Sequence, residues 1–397
     1  MKEVASARWY GPAIFAVLAA QLCAALADNA LLIVAITLLA ARHAPDWVTP
    51  ALRIGFYASY VLLAPIAGRW ADVWPKGRLM TAVNLIKLLG VAALAWGAHP
   101  LLVFAVIGCG AAAYAPARYG MLPELTAGRD LLRANAAMEI VTIAGIICGY
   151  ALGSALVARG TLFACSLLAG LYALGAMATP TLGVNGIHAG KRLGFHAAAR
   201  VLLRDSAARY ALILTSIFWS AAAVLQFLMI SWARSSLGLS LTQAALMPAL
   251  LALGIVAGAL LAGAWRIEAM AISSGCAIVL GGAITLMPLA HSVPAACALL
   301  ALAGLLAGIL LVPMNALLQQ RGASLMLPGL SVAVQNGLEN GLSIIFLVLY
   351  STALAAGASI NRAVVGLGIG VVVLVGLTSW AMRHSFSPHL KEHRCSN

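Results

Sequence analysis

Twelve long apolar runs alternate with short polar stretches along the chain. They lie at about 12–41, 50–70, 79–97, 101–117, 134–157, 161–178, 210–232, 242–264, 271–290, 294–317, 329–355 and 362–382. A helix that crosses a bilayer takes about 20 mostly apolar residues. The pattern therefore predicts an all-α membrane protein of twelve transmembrane helices. The longest polar connection, Pro180 to Ala208, divides the twelve into two sixes. The expected organisation is an N-terminal six-helix bundle at 1–180, a central cytoplasmic linker at 181–208, and a C-terminal six-helix bundle with a short tail at 209–397. Within that connection, Phe195 to Arg209 reads equally well as a short amphipathic helix on the membrane surface or as an ordinary basic linker.

Composition agrees with lipid as the solvent. Of 397 residues, 63% are hydrophobic and 9% are charged, against roughly 25% charged in soluble domains. The net charge of +13 would suggest nucleic acid in a soluble protein. Here the cations sit between apolar runs, without a basic block interleaved with exposed aromatics, so no nucleic-acid partner is expected. With the N-terminus placed inside, cytoplasmic stretches hold 18 Lys and Arg, periplasmic stretches hold five, and Lys87 alone remains within a span. That bias orients both termini to the cytoplasm and favours an even number of spans. Lys2, Arg8 and the run ending Ala25-Leu26-Ala27 have the look of a signal peptide. The apolar stretch resumes at Ala30, however, which favours an uncleaved first helix. The seven cysteines form no CxxC pair and read as small core residues, with no disulfide framework, metal or cofactor expected.

The two halves repeat. Pro116, into which segment four runs, matches Pro313, into which segment ten runs, at an offset of 197, Asp72 matches Glu268 at 196, and Asp28 in segment one matches Gln226 in segment seven at 198. Such parallel six-helix repeats resemble the major facilitator superfamily, whose substrate site lies between the halves near the midplane. The loop GRWADVWPKGR, Gly68 to Arg78, is similar to that superfamily's signature between segments two and three, with one extra residue between the Asp and the Gly-Arg pair. Gly68 allows close helix contact there. Asp72 is placed to cap a helix or to bond across the halves, and Lys76 and Arg78 hold the loop inside.

Charges within spans cost at least ~2.5–3.5 kcal/mol each at the helix centre and are retained where they face a cavity or a partner. Asp28, beside Asn29 in segment one, is the strongest candidate for a substrate pathway. Asn135 and Glu139 are four apart and share a helix face, as do Gln335 and Glu339, with Asn336 adjacent. Glu139 and Glu339 are assigned to the cavity or to its cytoplasmic gate. Lys87 has two open readings, snorkelling to the interface or pairing with an acid. Arg118, at a helix end, reads as an anchor or gate residue, or as a phosphate contact. Gly254, Gly258 and Gly263 on segment eight read as helix-packing positions.

Several strings are more specific. ADNALL (27–32), NLIKLLG (84–90), AAAYAPARYGMLPELT (111–126), VPMNALLQQRG (312–322) and AVQNGLEN (333–340) resemble the bacterial lysophospholipid transporter family. That resemblance implies a flippase in the bacterial inner membrane. It would move lysophosphatidylethanolamine and lysophosphatidylglycerol from the outer to the inner leaflet by alternating access. A cytoplasmic acyltransferase/acyl-ACP synthetase would be its functional partner, membrane lipid its surroundings, and a monomer its state. By position, Asp28, Asn29, Lys87, Glu139, Gln226 and Glu339 would line the pathway. Asp72, Lys76, Arg78, Arg118, Asn135, Gln335 and Asn336 would form the gate between bundles. One departure stands out: Gln226 occupies a position associated with Arg in the family. The competing reading is a proton-coupled exporter of drugs or amphipathic compounds. An enzyme is not expected, since no His precedes an Asp by five positions and no nucleophile motif is present.

Overall fold

The computed structural model describes residues 11–43, 48–126, 129–180, 193–244, 246–265 and 269–392. Among them every regular element is helical: α1 (Pro12–Ala41), α2 (Val48–Val73), α3 (Lys76–Ala95), α4 (Pro100–Leu125), α5 (Arg129–Val157), α6 (Thr161–Met177), α7 (Phe195–Arg204), α8 (Ser206–Leu237), α9 (Leu241–Ala244), α10 (Met247–Trp265), α11 (Ala269–Leu286), α12 (Val293–Leu325), α13 (Pro328–Ala355) and α14 (Ile360–Glu392), with a 3₁₀ turn at Met287–Leu289. A helix stands at each of the twelve expected spans. Ten of these helices are long and apolar enough to cross a membrane. The other two positions are held by the 26-residue α2 and the 17-residue α6. The repeat partner Glu268, and Lys191 and Arg192 of the central connection, lie outside the described residues.

Helix ends follow local chemistry. Proline opens α1 and α4 at the first helical position, where the missing N–H would be unpaired anyway. Asp205 caps α8 by accepting from the Ala208 N–H, and Gly238 closes that helix in the left-handed region at φ 65°. Pro116 and Pro313 both sit inside long helices, α4 and α12, so the repeated proline is an interior feature in each case. The stretch Phe195–Arg204 is a helix and is strongly amphipathic, with Ala198 and Leu202 buried and Arg200 and Arg204 exposed.

The chain forms two compact units, 1–199 with 322–341, and 200–321 with 342–397. In the first unit α1 packs on α5, α2 on α4, and α3 on α4 and α6. The α1–α5 crossing depends on a glycine stripe. A Cβ on Gly145 would come within 2.6 Å of the Ala25 Cβ, one on Gly149 within 2.8 Å of the Asn29 Cβ, and one on Gly153 within 2.6 Å of the Ala30 carbonyl oxygen. These glycines are four residues apart, so they form one row along α5, and the backbone of α1 lies against it. That row fixes the height and rotation of Asp28 and Asn29 on α1.

In the second unit α8 and α11 pack against α14. Gly254 of α10 lies against Gly304 of α12, where an added Cβ would stand 2.9 Å from the opposing Cα; Gly258 meets Gly308 of α12 at 3.0 Å. Gly254 and Gly258 are therefore packing positions. Arg321 at the end of α12 makes a bidentate pair with Asp205, Nε to Oδ1 at 3.2 Å and Nη2 to Oδ2 at 2.9 Å, so one carboxylate both caps α8 and holds α12.

A side chain at Gly149 has no room. Gly149→Leu is expected to push α1 off α5 and to cost about 1–3 kcal/mol. A lowered thermal midpoint of the purified protein in detergent checks this, with Gly170→Leu, which faces open space, as the control.

Candidate functional site

Lys87 is the residue around which the first unit is polarised. It sits mid-helix on α3 with 1% of its side chain exposed, so it does not snorkel to the interface. Its Nζ donates to both carboxylate oxygens of Asp28 on α1, at 2.9 Å to Oδ1 and 2.7 Å to Oδ2. The Tyr172 hydroxyl of α6 donates to the same Oδ1 at 2.6 Å. The ammonium also lies 5.6 Å from the centre of the Tyr172 ring and 5.7 Å from that of Tyr114 on α4. Cation–π attraction there adds to the ion pair. Gly110 of α4 makes room for the lysine stem, since a Cβ there would stand 3.1 Å from Lys87 Cε. Four helices thus converge on one ion pair. Asn29 turns away and donates to the Ala25 carbonyl of its own helix at 2.8 Å.

A second group lies on α4 and α5. The Arg118 guanidinium is 4.2 Å from the centre of the Tyr119 ring and 5.9 Å from that of Tyr114. Its Nε is buried and has no hydrogen-bond partner among the described residues. Glu139 on α5 is 3% exposed and interacts electrostatically with Arg118. Tyr119 interacts electrostatically with Arg118, Glu139 and Glu339. On α13, Gln335 Nε2 donates to Glu339 Oε1 at 2.8 Å, so the two do share one helix face. Asn135 donates to the Leu131 carbonyl at 3.0 Å, and the Asn336 amide nitrogen is buried without a hydrogen-bond partner among the described residues. Gln226 lies on α8 of the second unit, half-buried, with its amide nitrogen unpartnered among the described residues.

A third group surrounds the signature loop. Both Asp72 oxygens accept backbone N–H groups from the first turn of α13, Gly329 at 2.7 Å and Leu330 at 2.8 Å. A carboxylate at a helix N-terminus satisfies two otherwise orphaned donors and complements the helix dipole. The backbones approach closely because the residues at the contact are small. A Cβ on Gly68 would stand 2.7 Å from the Ala333 Cβ, and one on Gly329 2.7 Å from Asp72 Oδ1. Lys76, 1% exposed, pairs with Glu124 at the end of α4. Arg78 is exposed. Of the residues singled out in the sequence, the structure therefore brings Asp28 to Lys87, Arg118 into the neighbourhood of Glu139, and Gln335 to Glu339. Tyr172, Tyr114 and Glu124 were not singled out. A tyrosine inside an otherwise apolar segment is the signal that could have found the first two, since its hydroxyl requires a buried partner.

Twelve spans, an internal repeat and charges buried within the spans define a polytopic membrane protein of transporter architecture. The family model described as Major Facilitator Superfamily matches residues 14–324, and the chain belongs to that superfamily. Within it the chain is similar to proteins named lysophospholipid transporter LplT. That of Enterobacter sp. (strain 638) is 39% identical over 385 residues, covering 93% of this chain and 96% of that protein. The Yersinia enterocolitica relative is 37% identical over 362 residues, 87% and 88% of the two chains. The Escherichia coli O1:K1 relative is 36% identical over 385 residues, 93% and 96%. Among solved structures, the transporter FucP in its outward conformation superposes with a TM-score of 0.78 at 14% identity, covering 94% of this chain and 99% of that one. A bacterial homologue of ferroportin in an outward-facing state gives a TM-score of 0.75 at 15% identity, covering 94% and 99%. At these identities the two structures speak for the fold alone.

Two outcomes test the site. Lys87→Met leaves the partly buried Asp28 carboxylate without its counter-ion and is expected to cost about 3 kcal/mol. Adding Asp28→Asn should recover part of that loss, a coupling of about 0.5–3 kcal/mol, measured as a double-mutant cycle on thermal unfolding in detergent. Asp72→Ala should remove the external cap from α13 at a cost of about 1–3 kcal/mol, read as faster hydrogen exchange at the Gly329 and Leu330 amides.

Proposed function

We propose that this chain moves lysophospholipids across the bacterial inner membrane. The observation that carries the reading is the 36–39% identity over 93% of the chain to proteins named lysophospholipid transporter LplT. The buried site is consistent with it. A lysolipid has one acyl chain and a charged head, and its head needs polar groups shielded from hydrocarbon while the chain needs none. Asp28, Lys87, Glu139 and Glu339 supply such groups inside an otherwise apolar helix bundle. The proposed substrates are lysophosphatidylethanolamine and lysophosphatidylglycerol, moved from the outer to the inner leaflet by alternating access. A cytoplasmic acyltransferase/acyl-ACP synthetase would then restore the second chain. We assign the pathway to Asp28, Asn29, Lys87, Glu139 and Glu339, and on sequence grounds also to Gln226. The contact of Asp72 with the first turn of α13 is assigned to a cytoplasmic latch together with Lys76, Arg78, Arg118, Asn135, Gln335 and Asn336. Both termini are placed in the cytoplasm from the bias of basic residues. The division into bundles at 1–180 and 209–397, joined by 181–208, and a monomeric state are part of the same proposal.

The test uses spheroplasts that lack their own transporter and express this chain or its Asp28→Asn variant. Labelled lysophosphatidylethanolamine is added outside, and its conversion to diacyl lipid is followed with and without a protonophore. Conversion that depends on the chain, and falls at least tenfold in the variant, about 1.4 kcal/mol of lost transition-state stabilisation, is the expected result. No conversion above background, with the protein in the membrane and the acyltransferase active, would reject the lysolipid reading in favour of an exporter of amphipathic compounds.

A further inference from the structure

The first half of α2 presents two faces. Leu52, Phe56 and Ser59 form one, and it lies against α4. There the Phe56 ring stands 5.8 Å from that of Phe104, and a Cβ on Gly108 would come within 3.0 Å of Ser59 Oγ and 3.3 Å of the Phe56 Cα. Arg53, Tyr57 and Tyr60 form the other, turned roughly 100° about the helix axis. From that face Arg53 reaches α5, where its Nη2 donates to the Tyr150 hydroxyl at 2.7 Å. Tyr150 follows Gly149, which packs against Asn29 of α1, so the bond forms beside the residues assigned to the pathway. Arg53 precedes Asp72 by 19 residues on the same helix, about 28 Å along its axis. The bias of basic residues puts that end of α2 toward the outside.

The two side chains are short of acceptors. A guanidinium carries five N–H donors and no acceptor, and the phenol takes up one of them. The Tyr150 O–H itself has no acceptor among the described residues. No carboxylate among them pairs with Arg53 either: the ion pairs join Lys76 to Glu124, Lys87 to Asp28, Arg133 to Asp130 and Arg321 to Asp205. Both residues are half-buried, so a solute can reach them. Lys87 differs on each count, being sealed from solvent and bound to both oxygens of an acid. A cation flanked by a phenol donor, with no anion of its own, is completed by a negative group bearing several oxygens. We infer that Arg53 and Tyr150 form an anion site on the outer side of the first unit that takes a phosphate group. The guanidinium fork matches two phosphate oxygens, and the phenol O–H is free to donate to a third. For a phosphate borne by a lysolipid the site rests on the transport reading above and deepens it, because it gives the entering molecule a first contact ahead of the closed Asp28–Lys87 pair.

The experiment titrates the purified full chain with monododecyl phosphate in dodecyl maltoside, an uncharged detergent of the same chain length, and reads the thermal midpoint. Wild type is expected to be stabilised, Arg53→Gln not, and Arg53→Lys and Tyr150→Phe in part. Inorganic phosphate in place of the alkyl phosphate separates the two sources. Stabilisation by the alkyl phosphate alone assigns the site to a lipid-borne group, and stabilisation by both assigns it to the free anion as well. In spheroplasts, Arg53→Gln is expected to raise KM for externally added lysophosphatidylethanolamine and lysophosphatidylglycerol alike, about tenfold for one charge-assisted contact, and to change the maximal rate less. An equal midpoint shift in wild type and Arg53→Gln overturns the site. So does a fall in maximal rate, equal in Arg53→Gln and Tyr150→Phe and without a change in KM, which would make the bond a strap between α2 and α5. A wild-type chain that is stabilised by the alkyl phosphate but converts no lysolipid overturns the transport reading and leaves the anion site standing.

Discussion

An ammonium inside a membrane helix is tolerated only when something nearby replaces its water. Lys87 meets that constraint with two carboxylate contacts and two tyrosine rings. Each partner comes from a different helix, so the ion pair dictates how α1, α3, α4 and α6 are arranged. Desolvating two isolated charges costs several kcal/mol apiece, and their attraction in low dielectric offsets this only with good geometry and further hydrogen bonds. The Tyr172 hydroxyl supplies one such bond. The glycines around the pair are consequences of the same demand. Gly110 gives the lysine stem its channel, and the Gly145, Gly149 and Gly153 row seats α1 at the depth where Asp28 meets Lys87.

Charge is unevenly distributed between the two units. Among the described residues, the buried charged side chains, Asp72, Lys76, Lys87, Glu139 and Glu339, all belong to the first unit. The buried polar groups of the second unit are uncharged, Thr215, Ser216, Ser220 and Asn315 among them. Gln226 fits this division, because it stands at the repeat position of Asp28 without carrying a charge. The two units therefore share a helix plan but not an electrostatic role. Among the described residues buried charge is confined to the first unit, and the second unit is built from close glycine contacts and from hydroxyls, some bonding their own helix, as Ser220 does, and others bonding between helices, as Tyr210 and Ser379 do with Ser274.

Much of the fold could be read from the chain because lipid imposes a simple rule: every spanning backbone must satisfy itself as a helix. Apolar runs sufficed to place twelve helices, ten of them long and apolar enough to cross a membrane, and the repeated Pro116 and Pro313 recur inside long helices. The pairing of side chains was less legible. Lys87 had two open readings, since a sequence does not show which neighbour an ammonium will face. Tyr172 and Tyr114 are not legible as site residues, because a tyrosine in an apolar run looks like packing until the fold sets it beside a charge. The α5 glycine row carries no mark in the sequence that sets it apart from Gly254 and Gly258. Helix contact depends on what lies opposite, which composition does not carry.

The signature loop links these levels. Asp72 is the penultimate residue of α2, and its partners are the second and third residues of α13, more than 250 positions later in the chain. A carboxylate there acts on backbone donors, so the contact does not depend on the partner's side chains, only on their smallness at Gly329. Both contacts are buried, so the carboxylate supplies what water would otherwise give these two donors at the helix end. The Lys87–Asp28 pair joins two charges instead, and its separation in an apolar interior would leave both without solvent. The first unit thus holds its helices by two polar contacts of different kinds, one to backbone donors and one between charges.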